Sequence, residues 1–577
     1  MFSQPEEKTM QTISLAQRTG DFDTISQALD YAAQGTNGIR IYNAKGEVQQ
    51  KLSYKHLQET AVRTGRKLLA SGLRRGDIVA IIADTSAEFF TLFYGCQYAG
   101  LIACPLPHAL YLGGKSAYIQ RINNLLKAAN AKALWYPDNL KDLSEQFIHS
   151  TCVQAFGFSD LAHLSSVEHS TALQPDETAY IQFSSGSTSE PKGIVISQQA
   201  VSYNARGILR ECIRITPEDR AFSWLPLYHD MGLVGFSIAP LFAQTNVDYI
   251  SPSAFARRPL LWLQLMSGLR STITYAPIFG YHLAANRFKP EDTNLDLSAI
   301  KIAGIGGDMI HAGQLHHFCT VFADSNFNPG SLTPSYGMAE STLLVSYRHG
   351  LKTDLVDKTK LERDGIAVPC VNPDSPVLTF TVCGKPLTSH NVYVGDIDGK
   401  VLAPRHIGHI YINGPSLMSG YSHPCTGPKP DQQENTYLDT GDMGYLCDGE
   451  IIITGRYKDM MTVNGRNIWP QDIENTIASL PSMSAARSAA FSVKEDNSES
   501  IIILIETTLR NDEEREDLIR KIKTAIHTSE GTSIRVTLVA PKSLEYTSSG
   551  KLSRAKAKAL YLSYSSTNMS GKTHSEE

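Results

Sequence analysis

The segment FSSGSTSEPKG, residues 183–193, sets five hydroxyl side chains (Ser184, Ser185, Ser187, Thr188, Ser189) beside two glycines, Pro191 and Lys192. Small hydroxyls and backbone N–H groups donate to phosphate oxygens, and a lysine ammonium supplies the counter-charge. Gly186 and Gly193 let the backbone approach a ligand closely. The chemistry this predicts is a grip on a polyphosphate. The arrangement is not the P-loop GxxxxGK[ST]: here the lysine precedes the second glycine and no helical pattern begins directly after it. A plain Ser/Gly linker would not carry Pro191-Lys192-Gly193 pressed against the β run GIVIS.

A second candidate pair follows from spacing. MGYLC and EIII flank Asp448-Gly449, a two-residue hairpin signal. Such a turn pairs Leu446 with Ile451 and, counting back, Asp442 with Gly455. Arg456 then lies diagonal to Asp442 at the open end of the hairpin, where the two are either a plain salt bridge or a polar clamp on a ligand.

The elements that must position these groups read as layered α/β. TAYIQF and GIVIS bracket the hydroxyl segment as strands, and DIVAIIAD (77–84) and KIAGIGGD (301–308) are buried strands running into loops. After about residue 458 the pattern changes. Ile473, Ile477 and Leu480 mark one helix face; Leu518, Ile522 and Ile526 mark another; ESIIILIETT and SIRVTLVAP are strands. The expected fold is therefore α/β: a large N-terminal domain of layered α/β subdomains (1–458), a small mobile α+β C-terminal domain (459–562), and a polar tail (563–577) expected to be disordered.

Composition bounds the class. The 577 residues are 42% hydrophobic and 19% charged with a net charge of -5, which argues against broad nucleic-acid binding. The nine cysteines show no CxxC spacing, so reduced thiols and no zinc site are expected. The N-terminus has no apolar run and no stretch approaches a membrane span, which makes the cytoplasm the expected location.

Five ordered motifs, SSGSTSEPKG, PSYGMAE (334–340), YLDTGDMGYL (437–446), GRYKDMM (455–461) and TSSGKLSR (547–554), closely resemble those of the adenylate-forming superfamily of acyl-CoA synthetases, luciferases and peptide-synthetase adenylation domains. The resemblance spans roughly residues 20 to 560. It implies ATP and Mg2+ as cofactors, and a first step in which a carboxylate attacks the α-phosphorus of ATP. It gives Ser184, Ser185, Gly186, Ser187, Thr188 and Lys192 to the phosphates, and Glu340 with Thr188 to the metal. Ser335, Tyr336, Gly337 and Met338, with Gly306, Gly307 and Asp308 of GIGGDMI, fall to the adenine. Asp442 and Arg456 fall to the ribose, and Asp459 to the hinge. Lys551, by itself a solvated lysine, becomes the catalytic cation that a rotating C-terminal domain carries to the α-phosphate.

WLPLYHDMGLVG (224–235) resembles the segment lining the acyl pocket, with Leu227, His229, Met231, Gly232 and Ile238 as its residues and His229 by the reacting carboxylate. Its apolar neighbours favour a fatty acid, while Asp230 keeps open an amino acid whose ammonium it would meet. Between Glu340 and Gly384 the chain is longer than acyl-CoA synthetases ordinarily need. The extra segment 351–372, and NGRNIWPQDIE (464–474), resemble the fatty acyl-AMP ligases. That resemblance implies an insertion that resists domain rotation and an acyl group handed to the phosphopantetheine thiol of an acyl carrier protein. Too little chain follows Lys551 for a carrier domain, so that partner is expected in trans. The alternatives are an acyl-CoA synthetase, an amino-acid-activating enzyme and a non-catalytic acyl- or nucleotide-binding module.

Overall fold

The apolar runs with turn residues at their ends fold into two mixed sheets whose central strands are parallel. The structure is a computed structural model that describes residues 15–108, 114–148, 153–183, 191–289, 294–371, 375–422, 436–463, 466–478, 480, 487–495, 498–530, 534–546 and 552–570. Within these, a seven-stranded sheet carries Ile78–Ile82 and Thr178–Phe183, and a nine-stranded sheet carries Ile273–Ala276, Ile302–Ile305 and Leu332–Gly337 as neighbours. The strand runs IVAII and IAGI are buried on both faces, as parallel strands between helical layers must be. One large apolar cluster joins the two sheets through the helix Ala87–Ala99, ten of whose residues are buried.

A four-stranded antiparallel sheet follows, ending in the hairpin Leu438–Cys447 and Glu450–Arg456. Asp448 (φ 53°) and Gly449 (φ 74°) both take the left-handed conformation that a two-residue turn of this kind demands. Leu446 pairs with Ile451 as the spacing requires. Nearer the open end the register departs from the expectation. Gly444 faces Ile453 but Met443 faces Gly455, so Thr454 is a β-bulge and Asp442 lies directly opposite Arg456 rather than diagonal to it.

The C-terminal part is α+β. Strands Ser488–Glu495, Ser498–Glu506 and Ile534–Val539 form a three-stranded sheet. Ile501, Ile503 and Ile505 pack with Ile473, Ile477, Leu518, Ile522 and Ile526 on one face. Ile502 and Leu504 pack with Ala557 on the other, with Tyr561 against them. Both faces of IIILI are therefore covered, which explains its unbroken hydrophobicity. The tail differs from the expectation in part. The helix Arg554–Ser570 continues through residues 563–570, because Leu560 and Tyr561 pack on the sheet and a started helix adds each further turn at little cost; 571–577 lie outside the described residues. No described helix is long and apolar enough to cross a membrane.

Candidate active site

The strands Thr178–Phe183 and Gly193–Ser197 pair antiparallel with Phe183 opposite Gly193, so the two residues that bound the hydroxyl segment stand side by side. Ser184, Ser185, Gly186, Ser187 and Thr188 lie outside the described residues. Lys192 is described, and its Nζ stands 5.1 Å from the ring centroid of Tyr421. The Tyr421 hydroxyl in turn donates to Glu340 Oε1 at 3.4 Å. Tyr421, which the motifs did not flag, thus brings the lysine and the carboxylate to one place. A Cβ at Gly193 would meet Ser422 Oγ at 2.3 Å, so this glycine serves the close approach of the neighbouring strand.

Glu340 sits on a braced turn. Gly337 ends its strand where a Cβ would stand 1.9 Å from the Leu343 carbonyl oxygen. Thr342 holds φ 64° and donates its hydroxyl to Ser416 O at 2.7 Å. Asn204 Nδ2 donates to Leu344 O (2.9 Å) and to Ser341 O (3.3 Å), and Leu344 N donates to Asn204 Oδ1 (3.0 Å). His390 Nε2 lies 2.6 Å from Ser416 Oγ. Burial raises the Glu340 carboxyl above its ordinary value despite the nearby Arg456, and Asp230 and Asp442 push the same way. A carboxylate held in such a place is stabilised by an added cation. Among the described residues no cluster of three metal-ligating side chains exists. A lone buried carboxylate such as Glu340 is of the ligand type that Mg2+ takes, phosphate and water filling its other positions.

Asp442, Arg456 and Tyr336 form one unit. Arg456 Nε pairs with Asp442 Oδ1 at 2.9 Å, and the Tyr336 hydroxyl donates to Asp442 Oδ2 at 2.8 Å. Asp442 is buried while the Arg456 side chain stays 55% exposed, which leaves it available to a ligand. Arg456 is held firmly cationic, first by Asp442.

Two cavities meet here. The larger, ≈ 300 Å³, is bordered by Glu340, Arg456, Met338, His229 and Gly232, with an aromatic wall of Trp224, Phe255 and Phe279. The smaller, ≈ 70 Å³, is mostly apolar and includes Gly306, Ser335 and Tyr336. Asp230, Met231, Gly307 and Gly337 border both, so they form the junction. Two sequence expectations are corrected: Leu227 and Ile238 are buried in the core and border neither cavity, because their side chains point into the cluster beneath the turn. Asp308 is also outside both cavities. It is exposed, accepts from Met309 N at 2.9 Å, and lies near Arg554. The smaller cavity instead draws on Ile208, Cys212, Ile213, Ile273, Tyr275 and Leu343. No motif pointed to these, because they come together only when two π-helical turns, Ile208–Ile213 and Leu233–Ile238, close over the sheet.

Lys551 lies outside the described residues. Three positions later, Arg554 donates to Glu474 Oε2 at 2.6 Å and to Asp459 Oδ2 at 3.1 Å. Asn475 of the same helix meets His311 at 3.1 Å. The C-terminal part is thus docked beside the Gly306–Gly307 turn.

The segment 351–371 forms the strand Thr353–Asp357 and the helix Lys358–Asp364, the strand pairing with Val377–Thr381. Asp354 accepts from Tyr445 (2.7 Å) and Arg405 (3.0 Å). Glu362 pairs with Arg466 at 3.1 Å. Val356, Leu361 and Ala367 share a buried cluster with Tyr445, Ile452 and Trp469. Trp469 is 1% exposed and lies against Gly455, where a Cβ would sit 2.2 Å from the indole.

Comparison with known proteins matches residues 29–422 to the AMP-binding enzymes and 465–558 to the AMP-binding enzyme C-terminal domain. A putative acyl-CoA synthetase of Caulobacter vibrioides is 40% identical over 94% of this chain and 96% of its own. The medium-chain-fatty-acid–[acyl-carrier-protein] ligase JamA of Moorena producens is 30% identical over 94% of this chain and 95% of its own. A solved structure from a study of fatty acyl-adenylate ligases of E. coli and L. pneumophila superposes with a TM-score of 0.91 at 38% identity, covering 96% of this chain and 100% of the other. With the large domain and the small one matched in order, the chain belongs to the AMP-binding enzymes, the ATP-using adenylate-forming superfamily that its five motifs resemble.

Proposed function

We propose that the protein activates a fatty acid as its acyl-adenylate and passes the acyl group to the phosphopantetheine thiol of an acyl carrier protein supplied in trans. The observation that carries this reading is the apolar cavity opening at Asp230, Met231, Gly307 and Gly337 onto the corner of Glu340 and Arg456. A hydrocarbon tail in the one places its carboxylate at the other. Asp230 is turned to its own helix start, accepting from Met231 N at 2.8 Å, and the rest of the smaller cavity has no charge for an ammonium. This favours a fatty acid over an amino acid.

In the first step a carboxylate oxygen bonds to the α-phosphorus and the bond to the β-phosphate breaks, releasing pyrophosphate. In the second the thiol sulfur bonds to the acyl carbon, its proton leaves, and AMP departs. Arg456 and Asp442 orient the ribose; the segments Gly306–Gly307 and Ser335, Tyr336 and Gly337 divide the base from the tail, meeting the tail on the side of the smaller cavity and the base on the other; Lys192 and the hydroxyl segment hold the phosphates. His229 borders the path of the carboxylate, and Lys551 neutralises charge where the carboxylate and α-phosphate meet. Mg2+, when bound at Glu340 and Thr188, offsets charge on the phosphates. The domain boundary falls at 458/459 with Asp459 as hinge, and 351–372 restrains rotation about it. Buried thiols at Cys96, Cys104 and Cys383 are in keeping with a cytoplasmic location.

The identity with a putative acyl-CoA synthetase favours CoA acceptance as the second reading. The test is a mass spectrum of products from ATP, Mg2+, fatty acids, CoA and a phosphopantetheinylated carrier protein. Acyl-AMP and acyl-carrier protein are expected; acyl-CoA as the main product refutes the carrier assignment, and no acyl-AMP from any fatty acid refutes the activity.

A further inference from the structure

One wall of the smaller cavity is a hydrogen-bonded set of which the proposed chemistry uses only Ser335. Tyr275 and Ile273 occupy one face of the strand Ile273–Ala276, while Thr274, on the other face, accepts from Trp262 Nε1 at 3.1 Å. Tyr275 pairs with Gly304 of the adjacent strand, and a Cβ there would stand 2.1 Å from the tyrosine ring. Gly304 is therefore what lets the ring lie across the sheet. The hydroxyl end is tied on both sides, to Cys212 Sγ at 3.2 Å and Ser335 Oγ at 3.3 Å. Ser335 donates onward to Thr333 O at 3.1 Å. The donors then run in one direction: Cys212 S–H to Tyr275, Tyr275 O–H to Ser335, Ser335 O–H to Thr333. Every proton in the set is used, so nothing is left to donate to a polar group on a ligand's tail.

We propose that Tyr275 is the length gauge for the acyl chain: it stops the tail at the far wall of the smaller cavity and selects an unfunctionalised methyl end. This rests on the fatty-acid reading and adds to it the class of acid. Gly307, at the junction, is three residues beyond Gly304 and two past the end of its strand, so the two lie at most about 10 Å apart. That distance holds roughly eight methylenes at the advance expected from carbon–carbon bonds of about 1.5 Å. Acids of roughly eight to ten carbons therefore reach Tyr275 without displacing it, and longer ones must break the bonds to Cys212 and Ser335.

The experiment is ATP–pyrophosphate exchange with straight-chain acids from butanoate to hexadecanoate and with their ω-hydroxy forms. It uses the full chain and the variants Tyr275→Ala, Tyr275→Phe and Cys212→Leu. The wild type is expected to fall off steeply beyond the medium-length acids and to discriminate against ω-hydroxy acids. Tyr275→Ala is expected to raise the ratio of kcat/KM for tetradecanoate to that for octanoate at least ~10-fold, about the effect of 1.4 kcal/mol. Tyr275→Phe keeps the ring and is expected to keep the cutoff. Cys212→Leu fills the end from the opposite wall and is expected to shorten the optimum, so the gauge stays testable if Tyr275→Ala does not fold. A folded Tyr275→Ala or Cys212→Leu enzyme that activates octanoate with the wild-type length profile overturns the gauge while leaving the activity standing. A wild type that activates no fatty acid overturns the activity and the gauge with it.

Discussion

Trp469 is the sharpest test of why the acyl group would go to a carrier rather than to CoA. It follows Asp459 in the chain and therefore moves with the C-terminal domain in any rotation about that residue. Its indole is nonetheless 1% exposed, in a cluster with Val356 and Leu361 of the 351–371 segment and with Tyr445 and Ile452. A buried tryptophan removes roughly 150–250 Å² from water. At about 25 cal/mol per Å², drawing it out costs about 4–6 kcal/mol, an upper figure because the rotated state covers part of it again. Trp469→Ala removes about 3–5 kcal/mol of that restraint. Since 1.4 kcal/mol is a factor of ten, the rotated population should rise by at least ~100-fold. The assay is acyl-CoA formation from a fatty acid, ATP and CoA, run beside ATP–pyrophosphate exchange and a thermal melt. Acyl-CoA output should rise by about two orders of magnitude while exchange changes by less than about threefold, and Trp469→Phe should retain most of the restraint. A folded, exchange-competent Trp469→Ala enzyme with unchanged acyl-CoA output would refute the reasoning.

Two further outcomes are expected. Asp442→Asn keeps an acceptor for Tyr336 but removes the charge facing Arg456; kcat/KM for ATP should drop about 10- to 100-fold, the size of one charge-assisted hydrogen bond. The preference for ATP over its 2′,3′-dideoxy analogue should shrink with it, and an unaltered preference would place the ribose elsewhere. His390, buried against Ser416, has its pKa pushed down from 6.5 to about 4 by desolvation. The unfolded chain therefore binds a proton that the folded one refuses, so this stability is complete above pH 6.5 and is lost as pH falls toward 4. Denaturant titrations at pH 7 and pH 5 should differ by about 2 kcal/mol from this residue, and His390→Gln should remove that part of the slope.

The β runs were legible in the sequence because apolar alternation and turn residues act over a few positions. The Asp448-Gly449 turn and the pairing of Leu446 with Ile451 needed only left-handed backbone and strand counting. The helix faces at Ile473–Ile477 and Leu518–Ile526 were equally local. The bulge at Thr454 was not, since an extra residue in one strand leaves no mark on side-chain period, and it is the bulge that brings Arg456 face to face with Asp442. Burial of Leu227 and Ile238 beneath their turn was likewise invisible, because periodicity cannot tell a cavity wall from a core. What the sequence determined by itself was the family, and with it the motif residues proposed for phosphate, ribose and metal chemistry, carried in short segments whose spacing is fixed by local backbone geometry. Only tertiary structure decided the rest: the bracing of Glu340 by Asn204, Ser416 and His390, the wall from Ile208 to Tyr275, and the burial of Trp469 against the 351–371 segment. Those contacts join residues far apart in the chain, and their strength comes from excluding water between surfaces that meet only once the sheets have stacked.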